Sequence, residues 1–141
     1  MKRSASAVWT GDLKQGKGSI STQSGILEDA QYGFNTRFED GPGTNPEELI
    51  AAAHAGCFTM ALSAQLGVAG ITAERLETKA SVTLDKTGDD FTITAVHLVL
   101  RAKIPGTDRQ TFESIADKAK TGCPVSKVLN ATITLESTLE A

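Results

Sequence analysis

From Leu49 to Ala73 the chain carries no Asp, Glu, Lys or Arg, and that stretch limits the folds open to it. As a helix it is long enough to cross a bilayer. It also holds His54, Gln65, several Ser and Thr and repeated Ala and Gly, and it breaks at Gly67 and Gly70. Those residues argue against lipid. A helix apolar around most of its circumference reads instead as central and buried. Its start is well marked: Asn45 can cap, Pro46 suits the first helical position, and Glu47 and Glu48 complement the positive end of the dipole. Ala51, Ala52, Ala53, Ala55, Gly56 and Ala61 leave little bulk, so other backbones can approach closely. Such a helix is too apolar for a chain of 141 residues to cover. A homodimer with a large interface is therefore expected.

Strands and shorter helices flank it. Residues 5–22 read as a hairpin punctuated by Gly11, Gly16 and Gly18. Residues 23–45 are loop-rich, although YGFNTRFE at 32–39 alternates as a strand that carries Arg37. Residues 79–85 and 91–101 read as strands around a turn at 86–90. After Pro105-Gly106, Thr107 or Asp108 caps a helix with Phe112, Ile115, Ala116 and Ala119 on its apolar stripe, stopped at Gly122. Cys123-Pro124 opens a short helical segment to about Leu129. Residues 131–139 close the chain as a strand with Ile133, Leu135 and Leu139 on one face. The pattern predicts an α+β fold in a single domain, residues 1–141.

Charge narrows the partners. The net charge is −3 and no basic block occurs. That weighs against nucleic acid and against an anionic membrane surface, both of which need clustered Lys and Arg. The start, MKRSASAVWTGDLKQGKG, has no apolar core of the kind a signal peptide needs. A cytoplasmic location follows as an expectation, and there thiols are kept reduced.

Few side chains here can do chemistry. His54 and His97 have no Cys, Asp or His partner at metal-ligand spacing, and the two cysteines stand 66 positions apart, so no metal site is expected. Neither a phosphate-binding glycine loop nor a Gly-x-Ser-x-Gly elbow occurs, and no cofactor is expected. Cys57 and Cys123 remain, with two readings. Each is a small buried hydrophobe, or the two are a redox pair. Cys123 lies in Gly-Cys-Pro at a helix start, where the dipole lowers a thiol's pKa. A reactive thiolate also needs positive charge nearby, and Arg37 is the only Lys or Arg between Lys17 and Arg75. Its plain alternative is a solvated arginine paired with Glu39 or Asp40. Glu47 has a plain alternative too, as support for the helix dipole. The residues alone leave these alternatives standing.

Three segments, YGFNTRFE (32–39), GTNPEELIAAAHAGCFTMALS (43–63) and GCPVSKVL (122–129), resemble the signature of the OsmC/Ohr family of organic hydroperoxide reductases. AVWTGDLKQGKGSISTQSGIL near the start resembles the OsmC branch in particular. The resemblance implies an intertwined α+β homodimer of antiparallel sheets around a long central buried helix. It implies that Cys57 is the peroxidatic cysteine and Cys123 the resolving cysteine, joined as a disulfide after each reduction. It matches Arg37 and Glu47 to the family's activating arginine and glutamate. It implies organic hydroperoxides as substrates ahead of hydrogen peroxide, and a dithiol reductant of lipoyl type. The chemistry is coherent: a thiolate attacks, a cation holds it ionised, and a second thiol traps the sulfenic acid. Arg37 suits the cation's part, with Glu47 orienting it through a bidentate pair. Phe34, Phe38, Phe58 and Met60 suit a greasy entrance for alkyl chains. The rival reading is a non-catalytic redox-sensing or ligand-binding module built on the same cysteines.

Helix geometry adds an expectation of its own. Glu47 and Cys57 are ten residues apart, which is about 15 Å along a straight helix. One carboxylate cannot bridge that. Either Arg37 relays its effect, or the glutamate at each cysteine comes from the partner chain; the second is the expectation.

Overall fold

A computed structural model describes residues 1–141, which divide into two compact units, Met1–Leu49 and Ile50–Ala141. The first unit is built on three antiparallel strands, β1 (Ala5–Thr10), β2 (Lys17–Thr22) and β3 (Ala30–Tyr32), in the order β1-β2-β3. The expected hairpin is β1–β2. Gly18 pairs with Trp9 on one side and Tyr32 on the other. A Cβ there would meet Tyr32 at 2.5 Å and Trp9 at 2.6 Å. The two rings instead pack over the bare backbone with centroids 5.6 Å apart, the cross-strand pairing that stabilises small sheets.

The segment 32–39 departs from the expected strand. Strand β3 stops at Tyr32, and Phe34–Phe38 is a short helix, α1. Thr36 forces the turn: its hydroxyl accepts from the Gly33 N–H at 2.8 Å and donates to the Gly33 carbonyl at 2.9 Å. Phe34 and Phe38, spaced by four, pack with centroids 5.0 Å apart and rings tilted by 44°. A spacing of four satisfies both a period of two and a helical turn, so alternation could not separate them.

The long helix α2 runs Pro46–Val68. Asn45 caps it as expected, accepting from the Glu48 N–H at 2.7 Å. In the second unit it packs on a sheet of order β4-β5-β6: β4 (Arg75–Thr87), β5 (Asp90–Lys103) and β6 (Thr132–Glu140). Strands β4 and β5 pair antiparallel, but β6 runs parallel to β5, so this sheet is mixed. A parallel pair needs a crossover, and α3 (Arg109–Gly122) and α4 (Pro124–Val128) form it. Val96, Leu98, Leu100 and Ala102 alternate inward from β5 and meet Phe112, Ala116 and Ala119 of α3.

Helix α2 gives this core only one stripe, His54, Phe58, Leu62 and Leu66, spaced by four. Met60 stays 77% exposed. The buried central helix expected from composition is thus covered along one stripe only within one chain. Phe58 is wholly inside the core, so it lines no entrance.

Candidate active site

The two cysteines, far apart in sequence, meet in the second unit. Cys57 lies on α2, three residues beyond His54. Cys123 ends α3, its N–H donating to the Ala119 carbonyl at 3.0 Å, and it caps α4. The pair lies near 3.1 Å, and both are free thiols. Cys57 is half-buried and Cys123 fully buried.

Their surroundings push them apart. Burial raises the Cys57 thiol above its ordinary value, and the neighbouring Cys123 adds to this, against one favourable backbone N–H from Val125. Burial also works to raise Cys123, but hydrogen bonds from the Ser126 hydroxyl and N–H, then from Cys57 and Val125, outweigh it. The net direction for Cys123 is downward. The Ser126 N–H lies 3.4 Å from Cys123 Sγ and the hydroxyl 3.5 Å. Helix α4 has only five residues, so these two donors, rather than a macrodipole, account for the downward direction.

Behind Ser126 stands His54, wholly buried. Its Nε2 lies 2.7 Å from Ser126 Oγ, while Nδ1 has no partner. Burial lowers the imidazole's pKa, which keeps the ring neutral.

In the first unit, Arg37 and Glu47 are brought together. Arg37 Nε donates to Glu47 Oε1 at 2.9 Å. The contact is single, not the bidentate pair expected. Glu47 is buried with Oε2 unpartnered, and the arginine side chain is 40% exposed. The guanidinium sits 5.4 Å from the Phe38 ring centroid. Neither Glu39 nor Asp40 is its ion-pair partner, as Glu47 is. Arg37 also borders a pocket of about 300 Å³ lined by Trp9, Leu13, Tyr32, Phe34 and Phe38.

Comparison with known proteins decides the lineage. The family model described as OsmC-like protein matches residues 39–138. The chain belongs to the OsmC family. It is 56% identical to peroxiredoxin OsmC of Escherichia coli K12, over 96% of this chain and 94% of that one. It is 33% identical to an organic hydroperoxide resistance protein of Xanthomonas axonopodis pv. citri, over 70% of this chain and 68% of that one. The crystal structure of the organic hydroperoxide resistance protein OhrB of Bacillus subtilis superposes with a TM-score of 0.70, at 28% identity, covering 96% of this chain and 98% of that one.

Neither Ser126 nor His54 was among the site residues that the sequence of this OsmC-family chain singled out. Each carried a local signal. Ser126 is three residues past Cys123, where a capping side chain meets a backbone N–H. His54 is three residues before Cys57, on the same helix face.

Proposed function

We propose that this chain is a thiol-dependent hydroperoxide reductase. It reduces organic hydroperoxides, and hydrogen peroxide more weakly, to alcohols in defence against oxidative stress. The observation that carries the reading is the pair of free cysteines near 3.1 Å, one half-buried and one sealed in the core. Peroxide must reach the attacking sulfur, and the greater exposure of Cys57 supports that role for it. Its thiolate attacks the terminal peroxide oxygen, the O–O bond breaks, an alcohol leaves, and Cys57 becomes sulfenic acid. Cys123 then condenses with it to a disulfide, releasing water.

Within the second unit nothing except the Val125 N–H favours the Cys57 anion. A cation is therefore required, and Arg37, held by Glu47, is proposed to provide it. The Arg37–Glu47 pair of one chain is proposed to serve Cys57 of the partner in a homodimer. The uncovered face of α2 supports dimerisation: Ala53, Gly56, Met60, Ser63 and Gly67 recur at spacings of three and four and are all exposed. Small residues at that spacing admit a second helix closely. The apolar pocket beside Arg37 suits the alkyl part of an organic hydroperoxide. A dithiol of lipoyl type is proposed as reductant, and the cytosol as the compartment.

Steady-state consumption of cumene hydroperoxide and of hydrogen peroxide, each with a lipoyl or a thioredoxin-type reductant, tests this. Turnover at catalytic amounts of protein, faster on the organic substrate and lost in Cys57→Ser, is expected. Stoichiometric oxidation without turnover would mark a redox sensor instead.

A further inference from the structure

Beside the cysteine pair lies a titratable side chain that peroxide reduction as described leaves without a task. His54 is 0% exposed. Its Nε2 lies 2.7 Å from Ser126 Oγ, which lies 3.5 Å from Cys123 Sγ. Burying an imidazole carries a desolvation penalty, and Nδ1 lacks a partner. An aliphatic residue would fill that space more cheaply, so packing does not explain a histidine.

The unpartnered Nδ1 fixes the direction of the chain. The Ser126 hydroxyl has one proton to give. If it points to Cys123 Sγ, then Ser126 Oγ accepts from His54 Nε2–H, and Nδ1 keeps a bare lone pair. In the reverse direction Nδ1 carries a buried N–H with no acceptor. Buried donors without acceptors are rarer than under-satisfied acceptors, so the first arrangement wins. It aims two donors, the Ser126 hydroxyl and the Ser126 N–H, at Cys123 Sγ.

We propose that Ser126 and His54 form a donor chain that stabilises the Cys123 thiolate for the resolving step, with Ser126 a catalytic residue on the reacting sulfur and His54 a positioning residue behind it. This rests on the peroxidase reading above. Cys123 loses its proton to solvent, and its thiolate attacks the sulfenic sulfur of Cys57. The S–S bond forms, the S–O bond breaks, and the leaving hydroxide takes up one proton from solvent. Sulfenic acid and thiol thus become disulfide and one water, the oxidant being the hydroperoxide already consumed. While the thiol's pKa stays above ambient pH, the gain in thiolate fraction outweighs the loss of intrinsic nucleophilicity. When a dithiol reductant later attacks Cys57, the same donors stabilise Cys123 as the leaving thiolate.

The test adds one equivalent of cumene hydroperoxide to the reduced full chain. Sulfenic acid is followed by a dimedone-type trap and disulfide by mass spectrometry, and the ratio of the two phases is read. Ser126→Ala and His54→Phe are expected to slow disulfide formation relative to sulfenic acid formation by about tenfold or more, as loss of hydrogen bonding to a charged group implies. Ser126→Thr keeps the hydroxyl, and His54→Gln presents an amide N–H in place of the ring N–H. Both should restore the ratio to within about threefold. In a Cys57→Ser background, ultraviolet thiolate absorbance should show the titration midpoint of Cys123 rising in Ser126→Ala and returning in Ser126→Thr. An unchanged phase ratio and midpoint in Ser126→Ala overturn the donor chain. So does failure of both conservative variants to rescue, which reduces the pair to packing. Absence of both sulfenic acid and disulfide in the parent protein overturns the peroxidase reading instead.

Discussion

Burial raises both cysteine thiols and the Val125 N–H lowers both, but only Cys123 also has the Ser126 hydroxyl and N–H, and its net direction is downward while that of Cys57 is upward. Cys123 has the better-stabilised anion and Cys57 the better access. Replacing Cys57 by Ser is expected to abolish turnover in a peroxide-consumption assay. Replacing Cys123 by Ala should leave one reduction per chain, after which mass spectrometry finds Cys57 as sulfenic or over-oxidised acid. Arg37→Met should slow the first step by about tenfold, since one lost charge contact near a thiolate is commonly of that size, and stopped-flow oxidation measures it. His54 adds a pH dependence of stability. Burial lowers its pKa below the ordinary 6.5. As pH falls, the unfolded chain takes up that proton before the folded one does. Stability contributed by the neutral ring is therefore complete above the ordinary value and lost as pH falls towards the folded one. Urea midpoints should drop from about pH 7 to about pH 5, and His54→Gln should flatten that slope. The cysteine pair was legible as residue types, because only two cysteines exist. The donors that separate their chemistry were not, since Ser126 and His54 stand 72 residues apart and only folding joins them.

Among the elements, those with a long single-period pattern were legible and those with a short ambiguous one were not. Helix α3 keeps Phe112, Ile115, Ala116 and Ala119 buried as their spacing implies, and Asp108 caps it, accepting from the Thr111 N–H at 2.7 Å. Strand β5 buries Val96, Leu98, Leu100 and Ala102 in strict alternation. The miss at α1 is the opposite case, five residues in which Phe34 and Phe38 serve either period. The parallel placement of β6 was hidden too, because alternation along one strand carries no information about its neighbour's direction. Helix α2 was legible in extent but not in burial: its low amphipathicity reads alike whether its second face meets this chain or another. Its covered stripe should behave as core. Leu62→Ala is expected to destabilise the fold by about 2–5 kcal/mol, the usual range for a fully buried leucine, measured as a shift in the urea unfolding curve.

The face of α2 opposite that stripe is the ground for the proposed homodimer. Only 22% of the helix's most apolar stretch is buried in one chain, which leaves an apolar face of the kind that marks an interaction surface. A second copy would cover it and, on the proposed arrangement, deliver the Arg37–Glu47 pair of each chain to the other's Cys57. Met60→Glu places a charge in the middle of that face and is expected to yield monomers by sedimentation. If the sites are shared, those monomers lose peroxidase activity although Cys57 and Cys123 are untouched. Subunit mixing separates this from a general loss of structure. Cys57→Ser chains keep Arg37, and Arg37→Met chains keep Cys57, so a mixed dimer rebuilds one complete site only if the arginine acts across the interface. Random reassortment of equal amounts makes half the dimers mixed, each with one good site of two, so about one quarter of parental activity should return. An arginine acting within its own chain would return nothing above the sum of the two separate variants.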